Sequence, residues 1–267
     1  MSISATPCVA EMTDAAFGSN PAMWPLPSAR TPTELWLRAV AAAGQGRYSS
    51  ALADLERLHR SAADGSLQSL ALSTRASFHR QLGWHDRARP LDGQALARAG
   101  ADAESRADAL IGLAADALGV GRLAASARAL ARAVEQVERA GVARLPVRVA
   151  WVSAELAMVG GDGRSAIEHA AAAVELAAEL GSERHRVKSQ VVLAAAQCCR
   201  GELSASSRTA DEALQEAGRH GLQPLRWAAA SLLADIGSAA HSPAEITRIR
   251  DECVSIVTRW GGVWRPR

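Results

Sequence analysis

"GRLAASARALARAV" (Gly121–Val134) and "GELSASSRTADEAL" (Gly201–Leu214) lie eighty residues apart and agree at six of fourteen positions. Self-similarity at a fixed distance is the mark of a repeat architecture. Used as markers, Gly46, Gly83, Gly121, Gly161, Gly201 and Gly237 divide the chain into steps of 37, 38, 40, 40 and 36 residues. Seven residues before each stands an alanine: Ala39, Ala76, Ala114, Ala154, Ala194 and Ala230. Five residues after each stands another small residue: Ala51, Ala88, Ser126, Ala166, Ser206 and Ser242. A glycine ending a helix supplies the left-handed cap that other L-residues resist. The two small residues then sit equally far from the bend, roughly 9 Å of helical rise. In an antiparallel hairpin they face each other and let the helices approach to about 8 Å. The second helix adds core positions nine and twelve places past the glycine: Leu55 and Leu58, Leu130 and Ala133, Ala170 and Ala173, Ala210 and Ala213, Ile246 and Ile249.

Composition agrees with a helical reading. The chain of 267 residues is 48% hydrophobic but only 4% aromatic, and alanine makes up roughly a fifth of it. Alanine is the best helix former, whereas sheets favour β-branched and aromatic side chains. The fold class expected is all-α, one α-solenoid of about six antiparallel helical hairpins. A net charge of +2 is too small to be a nucleic-acid footprint by itself. Lys188 is the only lysine, an arginine and alanine bias that suits a GC-rich bacterial genome. Cys8, Cys198, Cys199 and Cys253 form no C-x-x-C pair and read as reduced thiols of a cytoplasmic protein. No basic and apolar leader opens the chain, and no run of 18 apolar residues would span a membrane.

Residues 1–31 hold Pro7, Pro21, Pro25 and Pro27 without helical periodicity, and are expected to be a disordered or loosely docked tail. Trp24 is its one adhesive residue, and whether the tail folds back into the repeats as a plug stays open. "TPTELWLRAV" then gives a strong helix start, with Thr31 as cap, Pro32 in the first turn and Glu34 behind it. The repeat domain is assigned to 32–260 and a C-terminal tail to 261–267. Within "RWGGVWRPR" (Arg259–Arg267), Trp260 is expected to cap the last repeat, while Trp264 stays open between capping and docking.

Paired helices with a small residue in the first, glycine in the turn and alanine early in the second resemble tetratricopeptide (TPR) repeats. "GRYSSALADLERL" (Gly46–Leu58) carries the resemblance best, with Tyr48 two places after the glycine. The units are longer than that family's 34 residues, its repeat-ending proline is missing, and Pro90 falls inside an expected helix. Such long units resemble repeat regions of bacterial signalling and transcription regulators. The resemblance implies a right-handed superhelix whose first helices line a concave binding groove.

Counting back ten, six and three places from each glycine gives the groove face. The first three units place there Trp36, Val40 and Ala43, then Ser73, Ser77 and Arg80, then Ile111, Ala115 and Leu118. The last three place there Trp151, Glu155 and Met158, then Val191, Ala195 and Cys198, then Trp227, Ser231 and Ala234. The partner-binding candidates are Trp36, Val40, Arg80, Ile111, Leu118, Trp151, Glu155, Met158, Lys188, Val191 and Trp227. Trp36, Trp151 and Trp227 share one register position. They read either as anchors for an apolar peptide or as filling between alanine-rich hairpins.

A clamp for acidic chaperone tails resembles this fold but needs asparagine on the groove, and Asn20, in the tail, is the only asparagine. The seven histidines lack the H-E-x-x-H or four-residue spacing of a metal site. No phosphate-cradling or nucleophile-elbow motif occurs, and "GGDG" (Gly160–Gly163) reads as a turn. Arg87, Arg128, Arg132, Arg164 and Arg208 fall on second helices among acidic residues, a solvated convex face. The function expected is therefore a protein–protein interaction module, an adaptor or scaffold binding a partner protein or peptide in the groove. The alternative is a sensor that binds a peptide or small ligand and acts on transcription or signalling through another chain. No enzyme activity, cofactor, metal, nucleic acid or membrane is expected, and the chain is expected to be a monomer or weak homo-oligomer.

Overall fold

The computed structural model describes residues 7–61 and 64–266. Residues 1–6 of the expected tail and Arg267 of the C-terminal segment lie outside these. Among the described residues thirteen α-helices follow one another and there is no strand. After α1 (Pro7–Phe17) the helices pair as six hairpins. They are α2 (Pro32–Gly44) with α3 (Tyr48–His59), α4 (Gly65–Gln81) with α5 (His85–Arg98), and α6 (Ala103–Gly119) with α7 (Leu123–Ala140). The others are α8 (Arg144–Val159) with α9 (Gly163–Leu180), α10 (Glu183–Cys199) with α11 (Leu203–Arg219), and α12 (Gln223–Ile236) with α13 (Pro243–Arg259).

Each marker glycine lies in the turn of its hairpin with positive φ. At Gly46, with φ +85°, a side chain would also press on Val257 and Pro224, so both backbone and space require glycine. The six alanines before the glycines are fully buried, and so are the small residues after the first five. Ser242 departs from the register. The last turn is longer, and Ser242 is exposed as the N-cap of α13, in a capping box with Glu245. Thr31 caps α2 in the same way, with Glu34 returning a carboxylate oxygen to the Thr31 N–H at 2.8 Å. Helix α5 runs through Pro90 without interruption.

The N-terminal segment is not loose. Helix α1 buries Met12, Ala15 and Ala16 against the first hairpin and touches α10. The proline-rich stretch after it is irregular and pinned through its carbonyls. Gln45 Nε2 donates to Pro21 O at 2.8 Å and Met23 O at 2.9 Å, and Arg38 donates to Pro27 O at 2.7 Å. An irregular run shows no helical period, and α1 alone is too short and small-sided to advertise an apolar face. Its docking depends on tertiary contacts, mostly with the first hairpin, which local pattern does not register.

The C-terminal segment is docked as well. The Ser49 N–H donates to Trp260 O at 2.9 Å, Trp84 Nε1 donates to Val263 O at 2.7 Å, and the Arg265 N–H donates to Leu82 O at 2.9 Å. Val257 of α13 joins the buried cluster of the first hairpin, with Tyr48, Ala51 and Leu55. The Arg47 guanidinium lies between Trp24 (4.0 Å) and Trp260 (3.9 Å), clasping the two terminal segments together. The sixth hairpin thus meets the first, and the solenoid closes on itself.

Candidate functional site

Closure turns the concave groove into a chamber of about 580 Å³, lined by the first helix of all six hairpins. Of the sequence candidates, Trp36, Val40, Arg80, Ile111, Leu118, Trp151, Glu155, Lys188 and Trp227 line it. Met158 and Val191 do not. Met158 packs into the cluster around Ala154 and Ala170, and Val191 packs beside Ala194 and Ala210, because each side chain turns towards its neighbouring hairpin. The arginines assigned to the convex face, such as Arg87, Arg128 and Arg132, are exposed on second helices.

The three equivalent tryptophans serve as wedges between hairpins and as chamber wall together. Trp36 Nε1 donates to Thr74 Oγ1 of the second hairpin at 3.0 Å. Trp151 Nε1 donates to Ser189 Oγ of the fifth at 2.8 Å. In both pairs the acceptor lies 38 residues downstream, one repeat on. Trp227 belongs to the last hairpin and has no following one. Trp264 of the C-terminal segment covers it instead, ring centroids 4.5 Å apart.

Three charged groups face this wall. Arg80 reaches Asp116 Oδ1 at 3.1 Å and also pairs with Asp92, both carboxylates being fully buried. Asp92 occupies the place nine residues past Gly83 where other hairpins carry an apolar residue. Burial pushes its carboxyl up to about 7, against the pull of Arg80 and with the push of Asp116. On the other side Arg144 Nη2 reaches Glu104 at 2.7 Å and Asp108 at 2.8 Å, and Arg148 also pairs with Asp108. Lys188 reaches Glu155 at 3.1 Å.

Phe17, at the end of α1, enters the chamber between Trp36 (5.6 Å) and His185 (6.3 Å), with the Arg144 guanidinium 5.3 Å from its ring. His185 stacks on Trp151 at 5.3 Å and 21°, and its Nδ1 meets Ser182 Oγ at 2.8 Å. Burial, with Arg184, Arg144 and Arg148 around it, holds its pKa well below the ordinary value, so the ring is neutral. Sequence reading missed Phe17, Arg144, Arg184 and His185. A signal existed for two of them. Gly100, Gly141, Gly181, Gly221 and Gly261 form a second set, all with positive φ, at steps of 41, 40, 40 and 40. Arg144 and Arg184 each stand three places after a member of it.

Among the described residues, Glu183, Glu216 and His220 bring possible metal-ligand atoms together. Arg186 reaches both carboxylates at 2.6 Å, so internal ion pairs already account for this trio. Among the described residues no helix is long and apolar enough to cross a membrane.

No protein-family model matches the sequence, and no curated protein matches it. Among solved structures, a Rap protein complexed with competence and sporulation factor is similar, with a TM-score of 0.66 at 12% identity over 86% of this chain. This chain spans 64% of that one. At so low an identity the likeness concerns the fold, and the fold is a TPR-like α-solenoid of helical repeats.

Proposed function

We propose that this protein is a receptor or adaptor that binds a short peptide segment of a partner in the chamber, by recognition without chemistry. One observation carries the reading. Six first helices converge on a space of about 580 Å³ that presents three indoles beside paired and unpaired charges. Ligand sites run from about 300 to 1,000 Å³, largely apolar with a few polar groups, so the chamber suits a few residues of extended chain and excludes a folded domain. The similar fold of a Rap protein complexed with competence and sporulation factor supports a binding role for a solenoid of this shape. The resemblance to long-unit repeat regions of bacterial regulators makes a cytoplasmic sensor, passing its signal to another chain, the natural setting.

The test exposes the full chain to a pool of random pentapeptides, isolates the protein by size exclusion and identifies retained peptides by mass spectrometry. Wild type is expected to retain a restricted set. Trp151→Ala, checked by circular dichroism, is expected to lose that set at least tenfold. Retention of nothing above a blank, or of the same peptides by the folded variant, would remove the peptide reading.

A further inference from the structure

The repeat register places Glu104, Arg144 and Arg184 at one equivalent position, seventeen residues before the turn glycines of the third, fourth and fifth hairpins. It places Asp108, Arg148 and Lys188 at another, thirteen before the same glycines. Along the solenoid this makes a ladder of acid, base, base. The step from third to fourth hairpin pairs opposite charges: Arg144 with Glu104 and Asp108, and Arg148 with Asp108. The next step brings like charges together. Lys188 escapes by turning to Glu155. Arg184 does not: among the described residues no carboxylate lies within ion-pair reach of it. Its Nη1 donates across the chamber to Val40 O at 3.1 Å, and its side chain lies over Gly44, where a methyl group would crowd it.

Two carboxylates thus serve three guanidinium groups that crowd one neutral imidazole, His185. Arg184 is half-buried in the chamber wall, where a guanidinium with no carboxylate partner attracts a counter-ion. Burial and the nearby Arg144 push Arg184 down to about 10, and burial with Arg80 pushes Arg148 to about 9, so both stay charged at neutral pH and attract an anion. Beside this cluster Arg80 sits with two carboxylates, Asp92 and Asp116, so the surplus is a local one, at Arg184, the one guanidinium of the three with no carboxylate in reach among the described residues. A guanidinium fork fits a planar carboxylate in bidentate fashion. Aromatic faces adjoin the cluster, Arg144 lying over Phe17 and Lys188 5.8 Å from the Trp151 ring.

We infer that the chamber holds its ligand by a carboxylate at Arg184, with an apolar portion against the neighbouring aromatic rings. The inference rests on the chamber being the binding site, and it names the chemical class of what binds there. A carboxylate of this kind is presented by a peptide terminus, by an acidic side chain or by a small organic acid.

Thermal melts of the full chain test the carboxylate, and peptide pools separate its sources. At roughly 10 mM, 4-phenylbutyrate is expected to raise Tm by about 2–5 °C, whereas 4-phenylbutyramide and inorganic phosphate do not. Arg184→Met is expected to abolish the shift without lowering the unliganded Tm, because an uncompensated charge is removed. Arg184→Lys keeps the charge and retains part of the shift, which covers the case in which the methionine variant fails to fold. Equal shifts from acid and amide, or from phosphate, overturn the inference, as does an undiminished shift in folded Arg184→Met. Pentapeptide pools with free and amidated C-termini supply the second arm. If retained peptides in the amidated pool carry Asp or Glu, the source is a side chain; if that pool retains none, it is the terminus. Retention of carboxylate-free peptides overturns the subsite and leaves the peptide reading standing. A phenylbutyrate shift with no peptide retained from either pool supports the subsite and removes the peptide reading.

Discussion

Trp151 joins two jobs in one side chain. Its ring is chamber wall while its N–H ties the fourth hairpin to Ser189 of the fifth. Trp151→Phe keeps most of the ring and loses that bond, so a urea melt is expected to show a loss of about 1 kcal/mol. Ser189 also donates to Ala173 O, so the substitution orphans no donor. Asp92 is a fully buried carboxyl set between Arg80 and a second carboxylate, Asp116. Its folded pKa of about 7 lies above the ordinary aspartate value of 3.8. The stabilisation from that group is complete below about pH 4 and is lost as pH rises through 7. Asp92→Asn leaves Arg80 paired with Asp116, so the variant is expected to match wild type near pH 4. At pH 8 it is expected to exceed wild type by on the order of 1 kcal/mol in denaturant melts. A constant difference between the two pH values would contradict this account. The sequence displayed Trp151 by its register, but nothing local marked Asp92 as buried, because a carboxylate nine places past a turn glycine also reads as a solvated one.

Among the helices, the hairpins were legible and their surroundings were not. Alanines that must face each other across a bend repeat along the chain, so local spacing alone exposes six turns and most of the pairings. Gly121 and Gly46 separate the two reasons for such a turn. Gly121→Ala meets open space at φ +75° and is expected to cost about 1 kcal/mol, backbone strain alone. Gly46→Ala adds a collision with Val257 and Pro224 and is expected to cost at least about twice as much, measured in the same melts. Helix α1 and the C-terminal segment were illegible for one shared reason. Each is held by tertiary partners that helical periodicity does not encode: α1 by the first hairpin and by the Glu183 N–H, which donates to Gly18 O at 3.1 Å, and the C-terminal segment by Trp84 and Leu82. Of the groove candidates, Met158 and Val191 fall outside the chamber because a helix face is wider than the strip a closed groove exposes.

For the whole molecule, the clasp at the termini decides whether the groove is a trough or a chamber. Removing Val263–Arg267 takes away the Trp264 cover and the bonds to Trp84 and Leu82. The truncated chain is expected to lose about 2–4 kcal/mol of stability. Its tryptophan emission should move to the red as Trp227 meets water, and iodide should quench that emission more strongly than in wild type. An unchanged spectrum would mean that Trp264 covers nothing.

A solenoid usually frays from its ends, because the outermost units have one neighbour and the inner ones two. Here the first and sixth hairpins are neighbours through Val257, Trp260 and Arg47, so every hairpin is flanked on both sides. Position along the chain then ceases to rank the repeats. Joining the present termini by a flexible linker and opening the chain at Gly141 or Gly181 instead should yield a protein that melts as one unit, with the weakest contact round the ring, not the outermost repeat, yielding first.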